Sequence, residues 1–222
     1  QGYEILQDPS DTVQGWVIVL ADTYFGAVKA GNAIKVEYDL GETANVNEQD
    51  IISQGETLAK DKTSGTLVVD KGDIASAAKN AKTSLESVYK TSSVLHFTME
   101  PVNAAVEFKD GICHVHCGNQ WQSLFLPVVA KAVGMSDDKV IIHQYYLGGG
   151  FGRRLAGDYM VPAALTAKAL GKPVKLVFTR EDDARFDCVR SPSVQQMNAY
   201  WDAEDKLLGI EHGAAAGWPT LA

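Results

Sequence analysis

The chain has 222 residues, a net charge of −8, 45% hydrophobic and 22% charged residues, enough for one large globular domain or two small ones. The acidic balance argues against a nucleic-acid surface, which is ordinarily basic. The sequence contains no apolar run of about 18 residues to span a bilayer, and it does not open on a basic-then-apolar leader.

In chain order, "GWVIVLA" (15–21) reads as a buried strand and "DTYFGAVKAGNAI" (22–34) as a short helix capped by Asp22. "KVEYD" (35–39) follows as a second strand, an α/β opening. Residues 40–72 are polar and acidic, with one helix over "NEQDIISQGETLA" and a strand over "GTLVVD" (65–70). A small-residue helix (73–81) and a strand (85–91) lead to an expected domain boundary near 85–95.

The second half is more regular. "AAVEF" and "ICHVHC" form a hairpin around Lys109-Asp110-Gly111. "WQSLFLPVVAKAVG" (121–134) places Trp121, Leu124, Phe125, Val128, Val129 and Val133 at helical spacing, and Gly134 stops it. "KVIIHQYY" (139–146) is a strand, and "DYMVPAALTAKALG" (158–171) is a helix capped by Asp158 and stopped by Gly171. "PVKLVFT" (173–179) and two strands near 193–201 and 206–213 complete the pattern, an α+β / α/β mixed fold.

Three cysteines, Cys113, Cys117 and Cys188, do not make a disulfide framework. In "CHVHC" (113–117) the cysteines and the histidines fall on opposite faces of a strand. Four convergent zinc ligands would require that strand to distort, so the motif reads as strand residues. "REDDARFD" (180–187) reads as a solvated turn or helix start.

"YYLGGGFGRRLAGDY" (145–159) carries four glycines around Phe151, between a strand and a helix. Ligands bind at such turns in α/β sheets, and glycines let a ligand touch the backbone. A purely structural turn is the other reading. Neither the dinucleotide G-x-G-x-x-G spacing nor a phosphate-loop ending fits, because Arg153 stands where the third glycine would fall.

"GGGFGRR" resembles the GGGFGGK-type loop of the molybdenum hydroxylases, the xanthine oxidase and aldehyde oxidoreductase family. Its double arginine is similar to the isoquinoline 1-oxidoreductase branch with its exported aldehyde dehydrogenases, which suggests a periplasmic setting. "HFTMEPVNAAVEF" (96–108), "GNQWQ" (118–122) and "GKPVKLVFTREDDARFD" (171–187) resemble further family segments in order. The resemblance implies part of an α/β-hammerhead domain over 1–90, followed by part of a molybdopterin-binding domain over 91–222. It implies a molybdenum cofactor on molybdopterin, often as the cytosine dinucleotide, with iron–sulfur clusters on a small partner subunit. No four-cysteine cluster pattern occurs in this sequence.

Carried over residue by residue, Gln120 matches the glutamine that hydrogen-bonds an oxo group on molybdenum, and Gly149, Gly150, Phe151 and Gly152 match the loop beside the metal. Arg190 aligns with a substrate-orienting arginine of the purine oxidisers, but Leu95 stands where those enzymes carry a glutamate. The implied substrate is therefore an aldehyde or an N-heterocycle, hydroxylated with oxygen from water. Arg153 and Arg154 receive no role, beyond facing an anionic cofactor or capping strand ends. The family's general-base glutamate has no counterpart here, so the chain is expected to be an internal piece of a longer subunit, inactive alone. The competing class is a non-catalytic module that holds an anionic ligand, or aids assembly, through the glycine loop.

Overall fold

The computed structural model describes residues 2–10, 15–37 and 39–217. Two compact units arise, each built from two chain segments: residues 1–38 with 95–188, and residues 39–94 with 189–222. The division is not the expected cut at residue 90. Strand β3 (Thr83–Thr91) runs through the expected boundary and pairs antiparallel with β8 (Ser193–Trp201), far along the chain. Ladder hydrogen bonds tie those segments, whatever their separation in sequence.

In the first unit, β1 (Gly2–Gln7) pairs antiparallel with β2 (Gly15–Leu20). The sequence reading had no strand at 2–7. β2 is buried on one face only, through Trp16 and Ile18, whereas Val17 is exposed. Helix α1 (Tyr24–Gly31) is capped by Thr23, whose Oγ1 accepts the N–H of Gly26; Asp22 is not the cap. Lys35–Glu37 and Asp39 form no strand, because β2 takes its partner from β1; Tyr38 lies outside the described residues.

The main sheet of this unit has the order β6-β5-β4-β7. β4 (Asn103–Lys109) lies antiparallel to β5 (Ile112–Cys117) and to β7 (Val174–Val177), and β5 lies parallel to β6 (Val140–Gln144). The β5–β6 crossover is α4 (Gln122–Val133), and β6 leads through the glycine turn to α5 (Met160–Leu170). Ala104 and Val106 of β4, and Cys113, Val115 and Cys117 of β5, face the helices and share one core with Phe125, Val129, Val133, Met160 and Val161. Both helices stop on glycines in the left-handed region, Gly134 (φ 65°) and Gly171 (φ 61°).

Two expectations change here, and a third is refined. Trp121 is the N-cap of α4 rather than core, half exposed, with Nε1–H donating to Ser123 Oγ at 3.1 Å. Asp158 does not cap α5, since Arg153 takes its carboxylate. α6 (Arg180–Arg185) is a short helix capped by Thr179, and it buries Asp183.

In the second unit, β3, β8 and β9 (Leu207–Ala216) form an antiparallel sheet. Helix α2 (Glu48–Lys60) packs on β8 and β9 behind an Asn47–Asp50 capping box, and α3 (Ile74–Asn80) packs beside it. The contact is close: a Cβ on Gly213 would stand 2.0 Å from the carbonyl oxygen of Ala59. Residues 65–70 form no strand; Leu67, Val68 and Val69 are exposed and pair with no ladder.

Candidate functional site: a braced glycine turn

The turn at 148–152 rests on two neighbouring loops of the first unit. Glu100 clamps its start: the Glu100 N–H donates to the Gly148 carbonyl (3.0 Å), and the Gly148 N–H donates to Glu100 Oε2 (2.8 Å). A Cβ at 148 would stand 2.4 Å from Glu100 Cβ, so this position requires glycine. Gly149 (φ 101°) and Gly152 (φ 107°) occupy backbone that L side chains rarely adopt. Phe151 also has positive φ (55°), which for a bulky residue costs roughly 1–2 kcal/mol. Its ring is 73% exposed. The strain presents an aromatic side chain outward from the tip of the turn.

Both arginines face inward, which neither sequence reading anticipated. Arg154 is fully buried and is the brace of the loop. Its Nε donates to the Gly149 carbonyl (2.9 Å) and its Nη1 to the Gly118 carbonyl (3.4 Å). Its Nη2 donates to the main-chain oxygen and to Oε2 of Glu100, both at 2.9 Å. Burial pushes the Glu100 carboxyl up, but bonds from Asn103 and Gly148 and the charge of Arg154 outweigh it and hold the group below its usual range. Arg153 forks onto Asp158 (2.7 and 3.3 Å) and donates to the Phe186 carbonyl (3.2 Å). Its Nε lies 3.3 Å from Asp187 Oδ1 as a charge pair, without hydrogen-bond alignment. Burial pushes the Asp158 carboxyl upward, against the pull of Arg153.

Gln120 approaches the turn from the β5–α4 loop. The Gln120 N–H donates to the Arg154 carbonyl (3.1 Å), and its Oε1 accepts the N–H groups of Gly152 (3.2 Å) and Arg154 (3.3 Å). Asn119 holds the same loop through Nδ2–H to the Arg154 carbonyl (2.7 Å), and the Tyr159 hydroxyl donates to the Gly118 carbonyl (2.6 Å). These bonds fix the amide oxygen of Gln120 and leave its amide NH2 without an acceptor among the described residues. A Cβ on Gly150 would fall 2.6 Å from Gln120 Oε1, so the missing side chain makes room for Gln120. The N–H groups of Gly149, Gly150 and Phe151 donate to no acceptor among the described residues. The geometry thus presents backbone and amide donors around one apolar ring.

The structure brings Gln120, Gly149, Gly150, Phe151 and Gly152 together. Arg190 belongs to the other unit, where it forms an isolated bridge with Val94. The residues that sequence reasoning missed are Glu100 and Arg154, as the clamp and brace of the loop. Both stood inside quoted motifs, but nothing in the sequence shows that they pair. The thiols of Cys113, Cys117 and Cys188 are each pushed up to about 11, with burial the leading cause, so they are neutral at ordinary pH. No cluster of three or more histidine, cysteine or acidic residues suited to a metal ion occurs among the described residues.

A strand-to-helix turn with free amide donors and no side chain at its centre is the arrangement that backbone cradles for polar ligands use. The family model described as "Molybdopterin cofactor-binding domain" matches residues 58–217, and the chain belongs to that family. It is 49% identical over 98% of its length to the membrane-bound aldehyde dehydrogenase [pyrroloquinoline-quinone] of Gluconacetobacter polyoxogenes, of which it spans 28%. It is 33% identical to the isoquinoline 1-oxidoreductase subunit beta of Brevundimonas diminuta over 53% of this chain, spanning 15% of that protein. Quinoline 2-oxidoreductase from Pseudomonas putida 86 shares the fold with a TM-score of 0.70, at 20% identity over 90% of this chain and 26% of its own. The chain therefore spans well under a third of each of these proteins.

Proposed function

We propose that this chain is the part of a molybdenum-dependent oxidoreductase that carries the glycine turn of the cofactor site, acting on an aldehyde or an N-heterocycle with water as oxygen source. One observation carries the reading: the free amide of Gln120 and the unpaired N–H groups of Gly149, Gly150 and Phe151 border the same turn. The bound cofactor would supply the redox chemistry, and the protein its position and electrostatics. Gln120 would hold a polar edge of the cofactor, with its orientation set by Gly152 and Arg154. Phe151 would exclude water beside it, which strengthens those hydrogen bonds. Aldehyde, as named for the Gluconacetobacter relative, is favoured over purine. The cytosine dinucleotide form, iron–sulfur clusters on a small partner subunit, substrate orientation by Arg190 and a hammerhead-like N-terminal portion belong to the same proposal.

The test is purification of the full-length subunit with its partner from medium containing molybdate or tungstate, with elemental analysis beside aldehyde turnover. Molybdenum near one per subunit, and activity lost with tungstate, support the reading. Activity that follows added pyrroloquinoline quinone and ignores molybdenum replaces it with the cofactor named for the relative. A loaded protein without turnover on any aldehyde or heterocycle favours the ligand-holding module instead.

A further inference from the structure

A buried histidine–carboxylate pair stands directly behind the turn. Asp187 Oδ2 accepts the His96 main-chain N–H (2.6 Å), and Asp187 Oδ1 meets His96 Nδ1 (2.8 Å). The two side chains are 7% and 4% exposed. A carboxylate only accepts, so Nδ1 carries its hydrogen toward Asp187 and Nε2 becomes the free nitrogen. Nε2 has no partner among the described residues, and it would lie 3.3 Å from a Cβ on Gly152. The backbone is strained to hold this ring: the next residue, Phe97, has φ 47°, with Arg180 stacked over its ring at 5.0 Å.

The charged side chains around the pair are Arg153, which forks onto Asp158 and lies 3.3 Å from Asp187 Oδ1, and Arg180 over the neighbouring Phe97 ring; the Cys188 thiol lies beside Asp158. An imidazolium at His96 would balance Asp187, and it would turn Nε2 into a donor aimed at the turn. An anionic oxygen is what such a donor, together with the free amides of Gly149, Gly150 and Phe151, would recognise.

We propose that His96 is a positioning residue of the cofactor site, oriented by Asp187 so that protonated Nε2 donates to an anionic oxygen of the group lying against Gly152. This rests on the molybdenum-cofactor reading above. The bond would add a second anchor at Gly152 besides Gln120, and that anchor would weaken as His96 loses its proton.

The wild-type full-length subunit tests this directly, through hydrogen–deuterium exchange at the imidazole C2 position read by mass spectrometry in loaded and cofactor-stripped protein. The expected result is a His96 exchange midpoint about one pH unit or more higher when loaded, because an anionic acceptor favours the charged ring. Identical midpoints in the two states overturn the proposal. Asp187→Asn should lower the midpoint in both states, and an unchanged midpoint overturns the pairing. In gel filtration, wild type should lose more molybdenum at alkaline than at acidic pH, whereas His96→Gln should lose the same larger amount at both. A His96→Gln subunit that retains molybdenum like wild type at both pH values shows a merely structural histidine. Wild type that carries no molybdenum at all sinks the cofactor reading and this proposal with it, an outcome distinct from the others.

Discussion

The side-chain oxygen of Gln120 lies 2.6 Å from where a Cβ on Gly150 would stand, and it accepts the N–H groups on the far side of that same turn. The glycine and the glutamine are therefore one device. Gly150 is not among the residues with positive φ, so its requirement is room for Gln120 rather than an unusual backbone angle.

Gly150→Ala should consequently fold well but displace Gln120. The colliding atom is the end of a flexible side chain, so the thermal midpoint should fall by only a few degrees, about what a 1 kcal/mol loss produces. Molybdenum per subunit should drop together with turnover. A variant that keeps full cofactor content and activity would show that the turn tolerates a methyl group and that Gln120 needs no such space.

Gln120→Ala should separate activity from loading. The cofactor would keep the backbone contacts of the turn, whereas one oriented amide is lost, and losing such a donor typically lowers turnover roughly 10²–10³-fold. The N–H groups of Gly152 and Arg154 also lose their acceptor, which should cost about 1–2 kcal/mol in urea unfolding. Cofactor loss larger than activity loss would place Gln120 in retention rather than chemistry.

The two arginines should differ in cost. Arg153→Met leaves the buried carboxylate of Asp158 without its fork and should destabilise by about 3–5 kcal/mol. Asp158 is already pushed upward by burial, so as pH falls the folded state takes up this proton before the unfolded chain does. Stability from this group therefore falls as pH rises, and the variant's loss should shrink as pH drops from about 7 toward about 4. Arg154→Lys should cost less, about 2 kcal/mol, because one ammonium cannot reach Gly149, Gly118 and Glu100 together and Glu100 is partly solvated. Urea titrations across pH check both the order and the sign.

A further pH effect arises on the face of the main sheet away from the helices. His143 Nε2 lies 2.9 Å from His114 Nδ1, and the His143 ring stacks on His116 at 4.4 Å. Burial and the neighbouring His116 and His114 hold its pKa below the ordinary 6.5. The unfolded chain thus takes up a proton first, so this contribution is complete above about pH 6.5 and is lost as pH falls below it. His143→Asn should flatten that acid limb of the stability profile. An unchanged limb would assign it to other groups.

Much of the fold was open to reading from local chemistry. Helical spacing and glycine stops placed α4 and α5, alternation in "CHVHC" put cysteines and histidines on opposite faces of a strand, and "NEQDIISQGETLA" marked α2. Period, cap and left-handed stop are properties of neighbouring residues, so a sequence states them directly. That Gln120 meets Gly149 to Gly152 at one turn was expected from the family resemblance and the run of glycines, and the fold brings them together. What tertiary structure decided was partnership across long separations. β3 pairs with β8, far along the chain, since ladder bonds form between strands that no local pattern pairs. Residues 65–70 had strand composition but found no partner and stay irregular. Two adjacent arginines looked alike in the sequence. Arg153 ends on Asp158 and Arg154 on Glu100 because burying a guanidinium demands acceptors, and only the folded chain shows which acceptors are within reach.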